Sequence, residues 1–380
     1  MLSTIKNPFF GRHIPRKAQN GMGAMNKKNI LLVVFMLFLN ARCLSQEKEK
    51  VILDTDMVEL FDDGIAMMML AKAPHIDLIG VTTVVGNTWV SEGTAFAIRQ
   101  LEAIGRTDIP VVQGIRAPLS PNRFENIKKE CLLFGSGNTY IGAASRPEPK
   151  SWEEVYRSCY GADPMTKPLD MKAVNFMIEQ VKANPGEISI LAIGPCVNLA
   201  VAVRMAPEIV PLIKRVVYMG GAFFKSGNAS PTAEFNWWID PDAAKICIRT
   251  PFPEQIVVSL DVCEKITFDK RRYDPIARIT NNTEISRMMK RSFLNRLFRD
   301  EPTHRHFVWD VVAAAILIDP TLIREEVTRH IDVNSQFGSS YGQSLAFDGN
   351  PPSGSRQARI ILTIDENKLW SIVEKYCAEF

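Results

Sequence analysis

The sequence predicts an α/β fold built on an open, mostly parallel sheet with helices on both faces. Two observations carry this. Short, continuous, β-branched runs of strand length recur along the chain, and segments with apolar residues at helical spacing alternate with them. With 46% hydrophobic residues over 380 positions, the chain can bury a full core.

In chain order, residues 51–53 and "IDLIGVTTVV" (76–85) read as buried strands, with a helix from Asp62 to about residue 72 between them. "VSEGTAFAIRQLEAIG" is a helix ending at Gly105, and "IPVV" (109–112) is a strand. A helix over 171–182 is closed by "NPG", and strand "ISILAI" (188–193) leads to a helix over 198–205. Strand "RVVYMG" (215–220), helix "DPDAAKICIR" and strand "QIVVSL" (255–260) continue the alternation. Helices over 283–299 and 307–318 then precede a strand pair, 330–334 and 358–364, and a closing helix, "ENKLWSIVEKYCAEF". Residues 114–168 and 221–239 break the rhythm and read as long functional loops.

Residues 46–380 are expected to form one domain. Residues 1–45 read as a leader: Lys27 and Lys28, an apolar run over 30–39, then Cys43 and Ser45 before "QEKEK" predict an export signal cut after Ser45. Met25 is an alternative start, and an organelle transit peptide is the alternative reading of a basic, acid-free leader. The expected location is therefore periplasmic or secreted. The apolar run is too short for a stable membrane span, and Arg42 before Cys43 argues against a lipid anchor. The net charge of +3 belongs to this leader, since residues 47–380 hold 38 basic and 42 acidic residues. The body carries no nucleic-acid footprint. The seven cysteines show no CxxC and no zinc-like spacing, and no disulfide is predicted.

In a parallel α/β sheet, ligands bind outside the carboxyl ends of the strands. The residues at those ends are Asp54, Asp56, Asp62 and Asp63 after the first strand, Asn87 in "VGN", the "IGPCVN" segment, and "MGGAFFKSGNASPTAEFN". Acids before a helix commonly cap it. Four together repel one another unless a cation neutralises them. A hard divalent ion fits, calcium in particular, because the stretch offers oxygen ligands and no His or Cys.

These residues resemble a known family. "ILDTD…DD", "TTVVGN" (82–87), "LAIGPCVNLA" (191–200), "VVYMGGAF…GNASPTAEFNWWIDPDAA" (216–244) and "WDVVAAAILIDP" (309–320) are similar, in order, to motifs of the inosine-uridine preferring nucleoside hydrolases. The resemblance runs from about residue 50 to the C-terminus. It implies calcium-dependent hydrolysis of the N-glycosidic bond of a ribonucleoside. Asp56 is then a calcium ligand and the catalytic base, and Asp63, Asp310 and the Ile193 carbonyl complete the metal set. Asp62, Asn87, Asn228, Glu234 and Asn236 would hold the ribose or orient the nucleophile, with Asp54 anchoring the loop backbone. Trp309 stands where some members carry a histidine, and resembles the tryptophan that stacks on the base in purine-preferring members. That points to inosine or guanosine, with His304 and His306 as alternative acids.

The loop between the acid pairs departs from the family. Five residues, "MVELF", stand where three are usual, so Glu59 and Phe61 are expected near the metal or the pocket mouth. Residues 114–168 lack a clear "HG-x-x-G" element, and "FGSGNTYIGA" and "CYGADPM" are candidate replacements. The competing function is a non-catalytic nucleoside- or sugar-binding protein on the same fold. A D-x-D phosphatase is disfavoured because "TTVVGN" has no place in it. The expected partner is a small nucleoside or ribosyl compound, with homo-oligomerisation left open.

Overall fold

The computed structural model describes residues 48–134, 140–279 and 283–380, so the leader and its expected cleavage site lie outside the described residues. The strands are β1 (Glu49–Thr55), β2 (Ile76–Thr83), β3 (Val111–Gln113), β4 (Ile188–Ala192), β5 (Arg215–Met219), β6 (Gln255–Val258), β7 (Thr267–Asp269), β8 (Arg305–Phe307), β9 (Ile323–Val333), β10 (Ser344–Phe347) and β11 (Arg356–Ile364). Nine of them form one sheet in the order β10-β9-β11-β6-β5-β4-β1-β2-β3. The stretch from β3 to β11 is parallel throughout, and β9 runs antiparallel to both of its neighbours.

β1 is paired with β2 on one side and with β4 on the other. The chain works outward from β1 to β3, then returns to the other side of β1 and works outward again from β4 to β6. The strand order therefore reverses between β1 and β4, and the loops leaving these strands diverge to opposite faces. That splay opens a crevice at their carboxyl ends, where open α/β sheets bind ligands.

Apolar layers cover both faces. On one side lie the Asp63–Lys72 and Asp310–Ile318 helices, in which "GIAMMMLA" and "VVAAAILI" are buried along essentially their whole length. A helix apolar all round belongs inside a core, and these two pack on each other. The opposite face is covered by Ala173–Ala183, Val197–Met205 and Pro241–Arg249. Among the described residues, no helix is long and apolar enough to cross a membrane.

The elements differ from expectation where local signals compete. The helix expected over 283–299 is two, Thr283–Arg291 and Phe293–Asp300, because the Ser292 hydroxyl accepts from the Asn295 amide and starts a new helix. The helix expected from 307 begins at Asp310, since residues 305–307 form β8 and pair with β7. Among its described residues, the irregular stretch 114–168 contains two α-helices, Arg123–Phe134 and Trp152–Tyr160, and a 3-10 turn at Gly142–Ser145. The second carries readable signals, a Ser151 cap accepting from the Glu154 amide and a left-handed Gly161 after its end. The first is held by a long-range tie. Its buried Arg123 pairs with Glu130 at 2.6 Å, donates to the Trp238 and Ile239 carbonyls and lies 5.1 Å from the Trp238 ring.

Candidate active site

β1 delivers Asp54 and Asp56 to the crevice, and the two sit differently. Asp54 is fully buried, with Oδ1 accepting from Thr82 at 2.7 Å and Asn198 at 2.8 Å. Its carbonyl accepts from the Ile193 amide at 2.8 Å, tying the end of β1 to the end of β4. Burial raises its carboxyl to about 6. Its Oδ1 and carbonyl bonds tie β1 to β2, β4 and the Val197–Met205 helix, while its Oδ2 is buried without a partner.

Asp56 is also fully buried, and its Oδ2 accepts from the Asn87 amide at 2.5 Å. Its Oδ1 has no partner. Two glycines make room for it: a Cβ on Gly86 would lie 2.1 Å from Oδ2, and one on Gly194 2.7 Å from the Asp56 amide nitrogen. Burial, then the charge of Asp63, push Asp56 well above the usual carboxylate range.

Asp63 opens its helix fully buried, with Oδ1 accepting from the Thr55 hydroxyl and Oδ2 unpartnered. Burial, then Asp62, raise it to about 7. Asp62 does not cap its own helix by a side-chain bond. Its Oδ2 accepts instead from the amides of Trp309 and Asp310, each at 2.6 Å, and so caps the neighbouring helix. The two helix N-termini thereby bring Asp62, Asp63 and Asp310 together, with ligand oxygens all within 4.8 Å of one another. Asp62, expected at the sugar, thus joins two of the expected metal ligands, Asp63 and Asp310. Asp310 is pushed well up by burial and then by Asp62, Asp63 and Asp56.

The 221–239 segment supplies the far wall. Glu234 and Asn236 are buried, but not as alternate residues of an extended strand, because residues 235–239 form a helical turn. Glu234 caps that turn, accepting from the amides of Asn236 at 2.7 Å, Trp237 at 3.1 Å and Gly221 at 2.9 Å. Burial raises it to about 7. Asn236 Nδ2 donates to the Ile193 carbonyl at 2.9 Å and to the Met219 carbonyl at 3.1 Å, while its Oδ1 is buried without a partner. Asn228 uses its Oδ1 to accept from the Phe235 amide at 2.9 Å, which is a turn-forming role.

Trp309 is half-buried against the core with its indole nitrogen buried and unpartnered, and the His306 ring meets it edge-on at 5.5 Å. Burial pushes His306 below its ordinary value. His304 sits beside Glu301 at 3.4 Å. In "FGSGNTYIGA", residues 135–139 lie outside the described residues, and Tyr140 packs on Phe235 at 5.4 Å. Burial, then Asp56, push its phenol up to about 12. In "CYGADPM", Tyr160 is turned toward the "MVELF" loop. Glu59 Oε1 accepts from the Tyr160 hydroxyl at 2.8 Å and from Arg291 at 3.0 Å, and Glu59, Phe61 and His306 line one cavity. Phe61 packs on Phe268 at 4.4 Å.

Sequence reading missed the supporting residues Thr55, Thr82, Gly86, Gly194 and Gln100. The glycines stood inside quoted motifs, yet only the close approach of Asp56 explains them. The site's chemistry is that of a hard-cation cradle: Asp56 Oδ1, Asp63 Oδ2 and Asn236 Oδ1 are buried oxygens without protein partners, and Asp310 adds another carboxylate.

An open parallel sheet with carboxylates gathered at its switch point defines an α/β protein with a candidate cation site at the carboxyl ends of its strands. The chain matches the family model described as inosine-uridine preferring nucleoside hydrolase over residues 51–371, and it belongs to that family of metal-dependent N-glycosyl hydrolases. It is 34% identical over 229 residues to the probable uridine nucleosidase 2 of Oryza sativa subsp. japonica, a match covering 60% of this chain and 61% of that protein. It is 30% identical over 340 residues to the pyrimidine-specific ribonucleoside hydrolase RihB of Escherichia coli O9:H4 (strain HS), covering 87% of this chain and 97% of the relative. Solved structures share the fold. The plant nucleoside hydrolase PpNRh1 superposes with a TM-score of 0.71 at 24% identity, covering 87% of this chain and 99% of that one. An inosine-guanosine nucleoside hydrolase gives 0.70 at 20% identity, covering 86% and 98%.

Proposed function

We propose that this protein hydrolyses the N-glycosidic bond of ribonucleosides with calcium as its metal, releasing free base and ribose. The observation that carries the reading is the set of unpartnered oxygens of Asp56, Asp63 and Asn236 facing one crevice beside Asp62 and Asp310. Buried acceptors without donors are costly, and a hard cation satisfies several at once. When bound, calcium supplies water activation and a grip on a vicinal diol.

The remaining work falls to the chain. Asp56 takes the proton of the attacking water through Oδ1, while the Asn87 amide holds Oδ2 and fixes the carboxylate's rotation. Asp63 and Asp310 hold the cation with the Ile193 carbonyl, and Asn236 orients that carbonyl through its Nδ2. As the bond to the base breaks, positive charge grows on the sugar. Asp62, Asp63 and Asp310 present negative charge where it develops, and Asp56 does so until it takes the water's proton. The Asn87 and Asn228 side chains are assigned to sugar hydroxyls, with Glu234 acting mainly by holding its turn.

Trp309 carries the lean toward purines, because a half-buried indole directly before Asp310 offers an aromatic surface for a two-ring base. The names of the uridine and pyrimidine relatives favour the second reading, a pyrimidine preference. Ribose release should be measured for inosine, guanosine, uridine, cytidine and modified purines, with chelator and calcium re-addition, and in Asp56→Ala. Ligand binding without ribose release across that panel would mean a binding protein instead. A kcat/KM for uridine above that for inosine would reject the purine lean alone. Export of the mature protein is part of the same proposal, tested by N-terminal sequencing for a chain that begins at Gln46.

A further inference from the structure

We propose that Gln100 and Glu59 are positioning residues, an inner and an outer clamp on the "MVELF" loop that set Asp62 and Asp63 against the other acids. The inference rests on the metal-dependent reading above.

The loop joins Asp56 to Asp62, two members of a mutually repelling cluster, so its conformation must be imposed by neighbours. Its start is pinned by Thr88, whose hydroxyl donates to the carbonyls of Asp56 at 2.9 Å and Met57 at 3.1 Å. Its middle is pinned by Gln100, fully buried on the Val90–Ala103 helix. Gln100 Oε1 accepts from the Leu60 amide at 2.7 Å, and Nε2 donates to the Val58 carbonyl at 3.4 Å and to Phe96 at 3.1 Å. The same amide fills the space beside Gly64, where a Cβ would lie 1.9 Å from Oε1. Gln100 thus reads an acceptor and a donor of the loop at once, while Leu60 holds φ at 64° and its carbonyl accepts from the Ile65 amide at 2.9 Å. A carboxylate at position 100 could take the Leu60 amide but could not donate to Val58.

Glu59 fastens the other side. Besides Tyr160 and Arg291, the cluster includes Arg99, and the Tyr160 ring lies 5.3 Å from the Arg99 guanidinium and 5.1 Å from that of Arg291. Arg99 pairs with Glu284 at 2.6 Å, so the helices at 90–103, 152–160 and 283–291 meet around Arg99, and Glu59 is bonded to the latter two through Tyr160 and Arg291.

The test uses metal-depleted full-length protein, calorimetric calcium titration, and amide exchange over residues 57–61, for wild type, Gln100→Met, Gln100→Glu and Glu59→Gln. Removing a partner that orients metal ligands weakens binding by about 10–100-fold, so Gln100→Met should lose at least about tenfold in calcium affinity, with faster exchange of the loop and lower kcat at little-changed KM. Gln100→Glu should not rescue it. Glu59→Gln, a substitution on the rim, should weaken calcium by a smaller factor and serves if the Gln100 variants fail to fold. Calcium affinity within about twofold of wild type in every folded variant overturns the proposal, even if exchange is faster, because that is a packing role only. Failure of the hydrolase reading shows separately, as wild-type protein that binds calcium yet releases no ribose. Wild type that takes no calcium overturns the clamp together with the metal reading, whereas wild type that takes calcium with unaffected variants overturns the clamp alone.

Discussion

Stripping the cation should make this protein less stable as pH rises, the reverse of ordinary acid denaturation. Glu234 is fully buried and lifted from 4.5 to about 7, and Asp54 from 3.8 to about 6, in both cases chiefly by burial. A carboxyl with a higher pKa folded than unfolded holds its proton more tightly in the native state. The stability this contributes is fully present below the unfolded value near 4 and is lost as pH rises through about 6 to 7. At 1.36 kcal/mol per pKa unit, each of these two groups accounts for about 3 kcal/mol between pH 4 and 8. At about 2 °C per kcal/mol for a domain of this size, that is a fall in Tm of about 6 °C per group. Asp56, Asp63 and Asp310 are raised in the same direction and deepen the trend. Calcium selects the ionised carboxylates, so it should restore Tm most at pH 8 and least at pH 5. Scanning calorimetry from pH 4.5 to 8.5, with chelator and with calcium, measures both effects. A chelated protein whose Tm is flat or rises with pH would refute the placement of these acids in a dry, unpaired cluster.

Three further outcomes are expected. Asp56→Asn should keep the Asn87 contact through its side-chain oxygen yet lose about 10²–10⁴-fold in kcat, read as ribose release, because an amide cannot accept the proton. Gly86→Ala drives a Cβ into Asp56 Oδ2, so turnover and calcium affinity should fall together in a folded protein, whereas wild-type kinetics would show that the carboxylate sits elsewhere. Arg123→Met leaves Glu130 buried and unpaired, which should cost about 3–5 kcal/mol and appear as a lower Tm, with the Arg123→Met/Glu130→Gln double variant recovering part of it.

The sequence was informative where chemistry is local. Continuous apolar runs marked β1, β2 and β4 to β6, and crowded acids after the first run marked the cation site, because burial and like-charge repulsion leave their trace in composition. The Trp152–Tyr160 helix was equally readable through Ser151 and Gly161, but the surrounding Pro and Gly obscured it. The split at Ser292 depended on one hydroxyl finding the Asn295 amide in place of solvent.

Other features had no local trace. That Asp62 caps the Asp310 helix from 248 residues away follows only from packing two apolar helices with their N-termini together. Glu59 was expected near the metal or the pocket mouth, and its partners, Tyr160 and Arg291, come from segments about 100 and 230 residues further along the chain. Glu234 and Asn236 converge on the site through a capped helical turn rather than strand alternation. By itself the sequence determined which residues carry charge and which runs must be buried, since both follow from the side chains. Only the tertiary structure decided which carboxylate oxygens remain without a protein donor, because that depends on amides and hydroxyls delivered from distant parts of the chain.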